Sequence, residues 1–291
     1  MKSIVAALFI ALLSLVSAPA ATRLVVIGID GLSPDGVRKA QAPNLKRLME
    51  RGAWTLNARG VMPTSSSPNW ASMIMGAGPE QHGVTSNDWQ TNKFEISPVA
   101  VGSGGMFPTI FGVLREQKPG VRMGVFHDWN DYGRLFERAA VDRIEDTDGP
   151  TNAVRQAIAY WKSDRPDFTF IHMDHVDHAG HQDGHGSASY YASVGVADKL
   201  IGEALAGLEE AGMKDAYVLV TSDHGGVGTK HGAATMAEIE IPWILVGPKV
   251  KKGHEIKTAV NTYDTAATIA HIFKVKPPSV WIARPVAEAF R

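Results

Sequence analysis

Five of the 11 histidines fall between residues 172 and 185, in the run His172-Met-Asp174-His175-Val-Asp177-His178-Ala-Gly180-His181-Gln-Asp183-Gly-His185. Imidazoles interleaved with carboxylates suit metal ligation, with a metal-sequestering loop as the plainer alternative. Asp177 and His181 stand on either side of Gly180, and this glycine predicts a tight turn that swings His181 back toward the Asp177 carboxylate. Asp223-His224-Gly225-Gly226 follows the apolar run Tyr217–Thr221, and His231-Gly232 comes seven residues after His224. Asp30-Gly31 closes another apolar run and, taken alone, reads as a turn. The chain has no cysteine, so a transition metal must be held by nitrogen and oxygen. That donor set favours Zn²⁺, with Mn²⁺ or Mg²⁺ as second choices beside so many imidazoles. Asp30, Asp177, His181, Asp223, His224 and His231 are too many ligands for one open site and suit two ions. Paired ions about 4 Å apart can clamp the attacking and leaving oxygens of a phosphoryl transfer. Without metal, the three carboxylates are expected to raise one another's pKa values.

A candidate nucleophile lies in Pro63-Thr64-Ser65-Ser66-Ser67-Pro68-Asn69, where four consecutive hydroxyls precede an apolar stretch. Pro68 suits the first turn of a helix. Hydroxyls at that end lie where backbone N–H groups favour an anion, so one of them could attack phosphorus. An ordinary helix cap is the competing reading.

These groups need a scaffold. Short β-branched runs at Arg23–Ile29, Val121–Phe126, Asp167–Met173, Ala216–Thr221 and Ile241–Val246 read as buried strands. Helical patterns lie at Pro43–Arg51, Pro108–Gln117, Thr151–Ser163, Tyr190–Ala211 and Thr262–Phe273. The alternation predicts a single α/β domain with a mostly parallel central sheet flanked by helices on both faces. In such sheets ligands bind beyond the carboxyl ends of the strands. Asp30, His127, Asp128, His172, Asp174, Asp223 and His224 all fall just after, or at the ends of, these apolar runs.

Composition narrows the class. Hydrophobic residues make up 44% and charged residues 20%, which describes a folded globular chain. A net charge of −1 leaves no basic surface for nucleic acid. Met1-Lys2, the apolar Ile4–Val16 and Ala18-Pro19-Ala20 have the order of a secretory signal peptide. The expected division is therefore a signal peptide over 1–20 and a catalytic domain over 21–291, exported to a periplasm or secreted, with no membrane anchor after cleavage.

The ordered set of motifs resembles the alkaline phosphatase superfamily, and most of all its type I phosphodiesterase/nucleotide pyrophosphatase branch. The matching elements are Asp30-Gly31, Pro63–Asn69, Gly76-x-x-Pro79-x-x-His82-Gly83, Asp177-x-x-Gly-His181, Ser222-Asp-His-Gly225, His231-Gly232 and Tyr263–Ala270. The resemblance implies that Asp177, His181 and His231 hold one zinc. Asp30, Asp223 and His224 would hold the other, together with the nucleophile. It places the nucleophile at Ser66 and implies that Asn87 contacts the phosphoryl oxygens. Two departures stand out: the branch's usual threonine nucleophile is serine here, and Ser67 occupies the position where nucleotide-cleaving members often carry an aromatic. Trp70, Trp89 or Trp129 are the other candidates for stacking a base, though buried aromatics are common in any core.

The implied function is metal-dependent hydrolysis of a small phosphate ester through a phosphoseryl intermediate. The alternatives are a phosphomonoesterase on the same core and a non-catalytic periplasmic metal-binding protein, which would need the ligands but not Ser66 or Asn87. A sulfatase is disfavoured because Trp70 stands where its motif carries arginine. A cofactor-independent phosphoglycerate mutase needs an inserted domain for which 291 residues leave little room.

Overall fold

In strand β1 (Leu24–Ile29) the side chains alternate between two apolar layers: Leu24 and Val26 enter one, Val25, Ile27 and Ile29 the other. A strand whose six residues are all buried must lie inside a sheet covered on both sides. The computed structural model describes residues 21–291, and the signal-peptide reading of 1–20 lies outside them. The other strands are β2 (Ala53–Arg59), β3 (Met123–His127), β4 (Arg143–Asp146), β5 (Phe168–Met173), β6 (Tyr217–Thr221), β7 (Glu240–Val246) and β8 (His254–Glu255). They form one eight-stranded sheet in the order β4-β3-β5-β1-β6-β7-β2-β8. β1 pairs in parallel with both β5 and β6, while β7 runs antiparallel to β6 and β2.

The helices are α1 (Pro34–Lys39), α2 (Pro43–Arg51), α3 (Ser66–Met75), α4 (Pro79–His82), α5 (Ile110–Gln117), α6 (Pro150–Asp164), α7 (His175–Asp183), α8 (Ala188–Glu210), α9 (Met236–Ile239) and α10 (Asp264–Phe273). One apolar layer takes Val37 of α1, Leu45 and Leu48 of α2, Trp161 of α6 and Ile201 of α8. The other takes Trp70 of α3, Phe111 of α5 and Ile269 of α10. Among the described residues no helix is long and apolar enough to cross a membrane.

All five expected strands and all five expected helices are present within a few residues of their expected ends. Two of the additional strands, β4 and β8, are the sheet's edges. The sequence of β4, Arg-Ile-Glu-Asp, is charged, as edge strands often are. One expectation is corrected. Gly180 makes no tight turn: it sits inside α7, and Asp177 and His181 meet because they are four residues apart on one helix face.

Helix α2 shows how the second apolar layer is fixed. Its own N-cap, Ala42, offers no side-chain acceptor. The buried Asp198 of α8 takes that place, accepting from the Asn44 and Leu45 backbone N–H groups at 3.1 and 2.7 Å. Asn44 Nδ2 also donates to Asp198 at 3.0 Å. Replacing Asp198 with Ala leaves these donors buried without an acceptor. The expected cost is about 2 kcal/mol, the upper end for a lost cap, measured by chemical denaturation of the variant against the parent.

Candidate active site

The carboxyl end of β1 carries Asp30, and two neighbours fix one oxygen of its side chain. Trp70 Nε1 on α3 donates to Oδ2 at 2.9 Å, and His172 Nε2 at the end of β5 lies 3.4 Å from the same oxygen. Gly28 makes room for the indole, since a Cβ there would lie 2.5 Å from the Trp70 ring. Gly31 has φ +69°, and a Cβ on it would sit 2.8 Å from Asp177. Only glycine lets this turn form and lets α7 pack directly against it. From α8, Tyr190 Oη donates to Gly31 O at 2.8 Å and accepts from Ser33 N at 2.9 Å. From the end of β6, Ser222 Oγ and Asp223 Oδ1 accept from the N–H groups of Leu32 and Gly31.

Two donor groups result. Asp30, Asp223 and His224 form one, and Asp177, His181 and His231 form the other. Within each group the ligand atoms lie within 4.8 Å of one another. The imidazole tautomers follow from their partners. His224 Nδ1 bonds Gly225 O at 2.8 Å, His181 Nδ1 bonds Thr229 O at 2.9 Å, and His231 Nδ1 bonds Thr64 O at 2.8 Å. A carbonyl only accepts, so each Nδ1 carries the hydrogen and each neutral ring turns an Nε2 lone pair into the site. His224 Nε2 faces Asp30 Oδ1 at 3.3 Å and Asp223 Oδ2 at 3.2 Å. His181 Nε2 faces Asp177 Oδ2 at 3.0 Å and His231 Nε2 at 3.1 Å. Acceptors thus face acceptors. Asp30 Oδ1, Asp177 Oδ1 and Asp223 Oδ2 are buried without a hydrogen-bond partner among the described residues. The donor set fits cations in both positions, and histidines held by backbone carbonyls are the usual support of metal ligands.

Ser66 opens α3 with its Oγ 3.2 Å from His224 Nε2. Asn69 holds the preceding loop in place: its Oδ1 accepts from Val61 N at 2.6 Å, and its Nδ2 donates to Pro63 O and Ser65 O at 3.0 and 2.9 Å. The N-cap Ser65 makes no side-chain capping bond, so the capping reading of this segment does not hold. Thr64 Oγ1 is committed to Ala233 O and Gly232 N. Of the four hydroxyls, Ser66 is the one bonded to a residue of the two donor groups. Asn87 Oδ1 accepts from Ser67 N at 2.8 Å, which leaves the Asn87 amide N–H₂ available at the same helix end. His82, in the Pro79-x-x-His82 motif, accepts from Val84 N through Nδ1 and therefore donates from Nε2 to Ser72 Oγ at 2.9 Å. It braces α3, and burial lowers it to about 3.

The expected mutual repulsion of carboxylates holds for Asp223, which burial and the charges of Asp30 and Asp177 push well up. It fails for Asp30. Burial opposes ionisation there, yet the His172 hydrogen bond and the charge of His224 bring it down to about 2. His172 is itself buried, but bonds to Asp128 and Asp30 raise it to about 9. The Asp177 hydrogen bond raises His181 to about 9. Trp70, His172, Asp128 and Tyr190 are the positioning groups that sequence reasoning did not assign. Trp70 adjoins the Pro63–Asn69 motif and His172 opens the histidine run, but their bonds to Asp30 cross between elements that no local spacing connects. Of the wider histidine run, His178 is exposed on α7, and His175 is half-buried with neither ring nitrogen partnered among the described residues.

This fold recurs in solved proteins. Murine ectonucleotide pyrophosphatase/phosphodiesterase 5 superposes with a TM-score of 0.75 at 16% identity, covering 88% of this chain and 96% of that one. A variant of the alkaline phosphatase PafA superposes with a TM-score of 0.78 at 11% identity, covering 94% and 100%. These place the chain among alkaline phosphatase-like folds. The family model for type I phosphodiesterase/nucleotide pyrophosphatase matches residues 24–242, and the chain belongs to that family. An uncharacterised pyrophosphatase/phosphodiesterase of Schizosaccharomyces pombe is 26% identical over 219 residues, 70% of this chain and 44% of that protein. The chain spans less than half the length of the curated relatives of this kind that it matches.

A pH dependence follows for the metal-free protein. His172 and His181 sit at about 9 when folded, against about 6.5 unfolded. Between these values the folded chain holds more protons than the unfolded one, so stability falls as pH rises. The melting temperature of metal-free protein is expected to decline from pH ~6.5 to ~9. Replacing His172 with Gln is expected to flatten that slope in a pH series of thermal melts.

Proposed function

We propose that the chain hydrolyses small phosphoric diesters or pyrophosphates, with Ser66 attacking phosphorus at a site that holds two Zn²⁺ ions. The convergence of three imidazole lone pairs with the carboxylates of Asp30, Asp177 and Asp223, with Ser66 Oγ 3.2 Å from one of those imidazoles, carries this reading. Asp30, Asp223, His224 and Ser66 would hold one ion, and Asp177, His181 and His231 the other. Bound there, two zinc ions would supply positive charge to the attacking and leaving oxygens.

The residues divide the remaining work. Asn69 and the loop it staples set Ser66 in line with the open helix end. Ser66 Oγ forms the bond to phosphorus as the ester bond to the leaving group breaks, giving a phosphoseryl intermediate. Water then cleaves the bond between Ser66 and phosphorus and regenerates the hydroxyl. The Asn87 amide and the Ser66 N–H at the start of α3 would donate to phosphoryl oxygens as charge gathers on them. Family membership supports a diester or pyrophosphate substrate. A phosphomonoesterase is the second reading, favoured by serine in place of the branch's threonine. The order of Lys2, Ile4–Val16 and Ala18-Pro19-Ala20 supports export with residues 1–20 removed.

The test uses protein from the exported fraction, expected to begin at Ala21. Its kcat/KM is compared on p-nitrophenyl phosphate, bis-p-nitrophenyl phosphate and the p-nitrophenyl ester of thymidine monophosphate. Turnover is expected to be fastest on one of the two diesters, and preference for the monoester would favour the second reading. Ser66→Ala is expected to lower kcat by at least ~10³-fold with zinc content unchanged. Chelation is expected to abolish activity and lower the melting temperature together. Full activity of metal-free protein, or of the Ser66→Ala variant, would overturn the mechanism.

A further inference from the structure

One imidazole of the histidine run is packed beside the site without belonging to either donor group. His185 lies just beyond α7 with its side chain 3% exposed, and its Nε2 is 3.5 Å from Asp177 Oδ1. Neither of those two atoms makes a hydrogen bond among the described residues, so each faces the other unpaired. The ring occupies a slot that two glycines leave open. A Cβ on Gly180 would lie 2.5 Å from it, and one on Gly226 would lie 2.2 Å from it. Gly180 belongs to the helix of Asp177, and Gly226 follows His224 by two residues, so the ring is wedged between the segments that carry the two donor groups. The His185 backbone N–H bonds Gly228 O at 2.7 Å, tying this loop to the hairpin whose Thr229 carbonyl orients His181.

The direction of approach separates positioning from ligation. Asp177 turns Oδ2 toward His181 and His231, at 3.0 and 3.7 Å. His185 comes to the opposite oxygen, and its nitrogens are not in the group of atoms within 4.8 Å of one another. A neutral imidazole has one N–H to give. We propose that His185 is a positioning residue for the ion held by Asp177, His181 and His231. It donates from Nε2 to Asp177 Oδ1, holding the carboxylate so that Oδ2 alone is presented to the metal. This rests on the two-ion reading above.

Zinc affinities of the whole exported protein, measured by competition with a chromogenic chelator at neutral pH, test the proposal. The parent is expected to bind two equivalents. His185→Ala is expected to weaken one of them by about 10–100-fold, the usual effect of removing a ligand's supporting hydrogen bond, and to leave the other unchanged. His185→Gln keeps an N–H donor of similar reach and is expected to restore most of the loss, which a purely space-filling role would not require. Should the alanine variant not fold, His185→Leu, which fills the slot without offering a donor, takes its place and is expected to lose the same affinity. Parental affinities for both equivalents in a folded variant that lacks the donor, or a glutamine variant as weak as that one, would overturn the role of His185. Failure of the parent itself to bind two equivalents would overturn the two-ion reading instead.

Discussion

Asp30, Asp177 and Asp223 bury three carboxylates close enough for the charges of the first two to act on the third, and the rest of the structure must offset that charge. An ionised carboxylate removed from water costs several kcal/mol unless it is paired or bonded. The protein pairs only part of this charge by itself. Trp70 and His172 satisfy one oxygen of Asp30, and the Gly31 N–H satisfies one oxygen of Asp223. Asp30 Oδ1, Asp223 Oδ2 and Asp177 Oδ2 face imidazole nitrogens whose rings already commit a hydrogen on the other side, and Asp177 Oδ1 has the His185 ring beside it. Such a site is in balance only when positive charge enters it. Protons can supply that charge in the free protein, as the raised His181 shows.

The fold delivers this concentration of charge by placing β1 between β5 and β6. All three strands are parallel, so their carboxyl ends open on the same rim. Asp30 and the pair Asp223-His224 come directly from strand ends, while Asp177 and His181 come from the helix that follows β5. The two glycines of β1 and its turn, Gly28 and Gly31, let Trp70 and Asp177 approach more closely than any side chain would permit. Helix α3 enters from the opposite layer and brings Ser66 at its N-terminus, where the Ser66 N–H and the positive helix end suit an incoming anion.

Much of this was legible in the chain. Continuous apolar runs identified five of the six interior strands, because a strand buried on both faces has no polar alternation to obscure it. The sixth, β2, mixes polar and apolar residues in Ala-Trp-Thr-Leu-Asn-Ala-Arg and gave no such run. The edge strands β4 and β8 gave no such signal, being short and polar. The acid–imidazole pairs at strand ends were legible because the motif residues are neighbours in sequence. Trp70, His172, Asp128 and Tyr190 were not, since their roles arise from contacts across the sheet and between its layers. The misreading at Gly180 has the same origin. Its small size serves the His185 ring packed against the helix rather than a turn of its own backbone. The ionisation of Asp30 likewise depends on His172, a partner 142 residues away.

The central claim is that Ser66 itself becomes bonded to phosphorus. The most direct measurement is the stereochemical course at phosphorus, using a chiral phosphorothioate diester hydrolysed in isotopically labelled water. Attack by Ser66 followed by attack of water makes two in-line displacements, so the configuration is predicted to be retained. Inversion would mean that water attacks phosphorus directly, and would contradict the account.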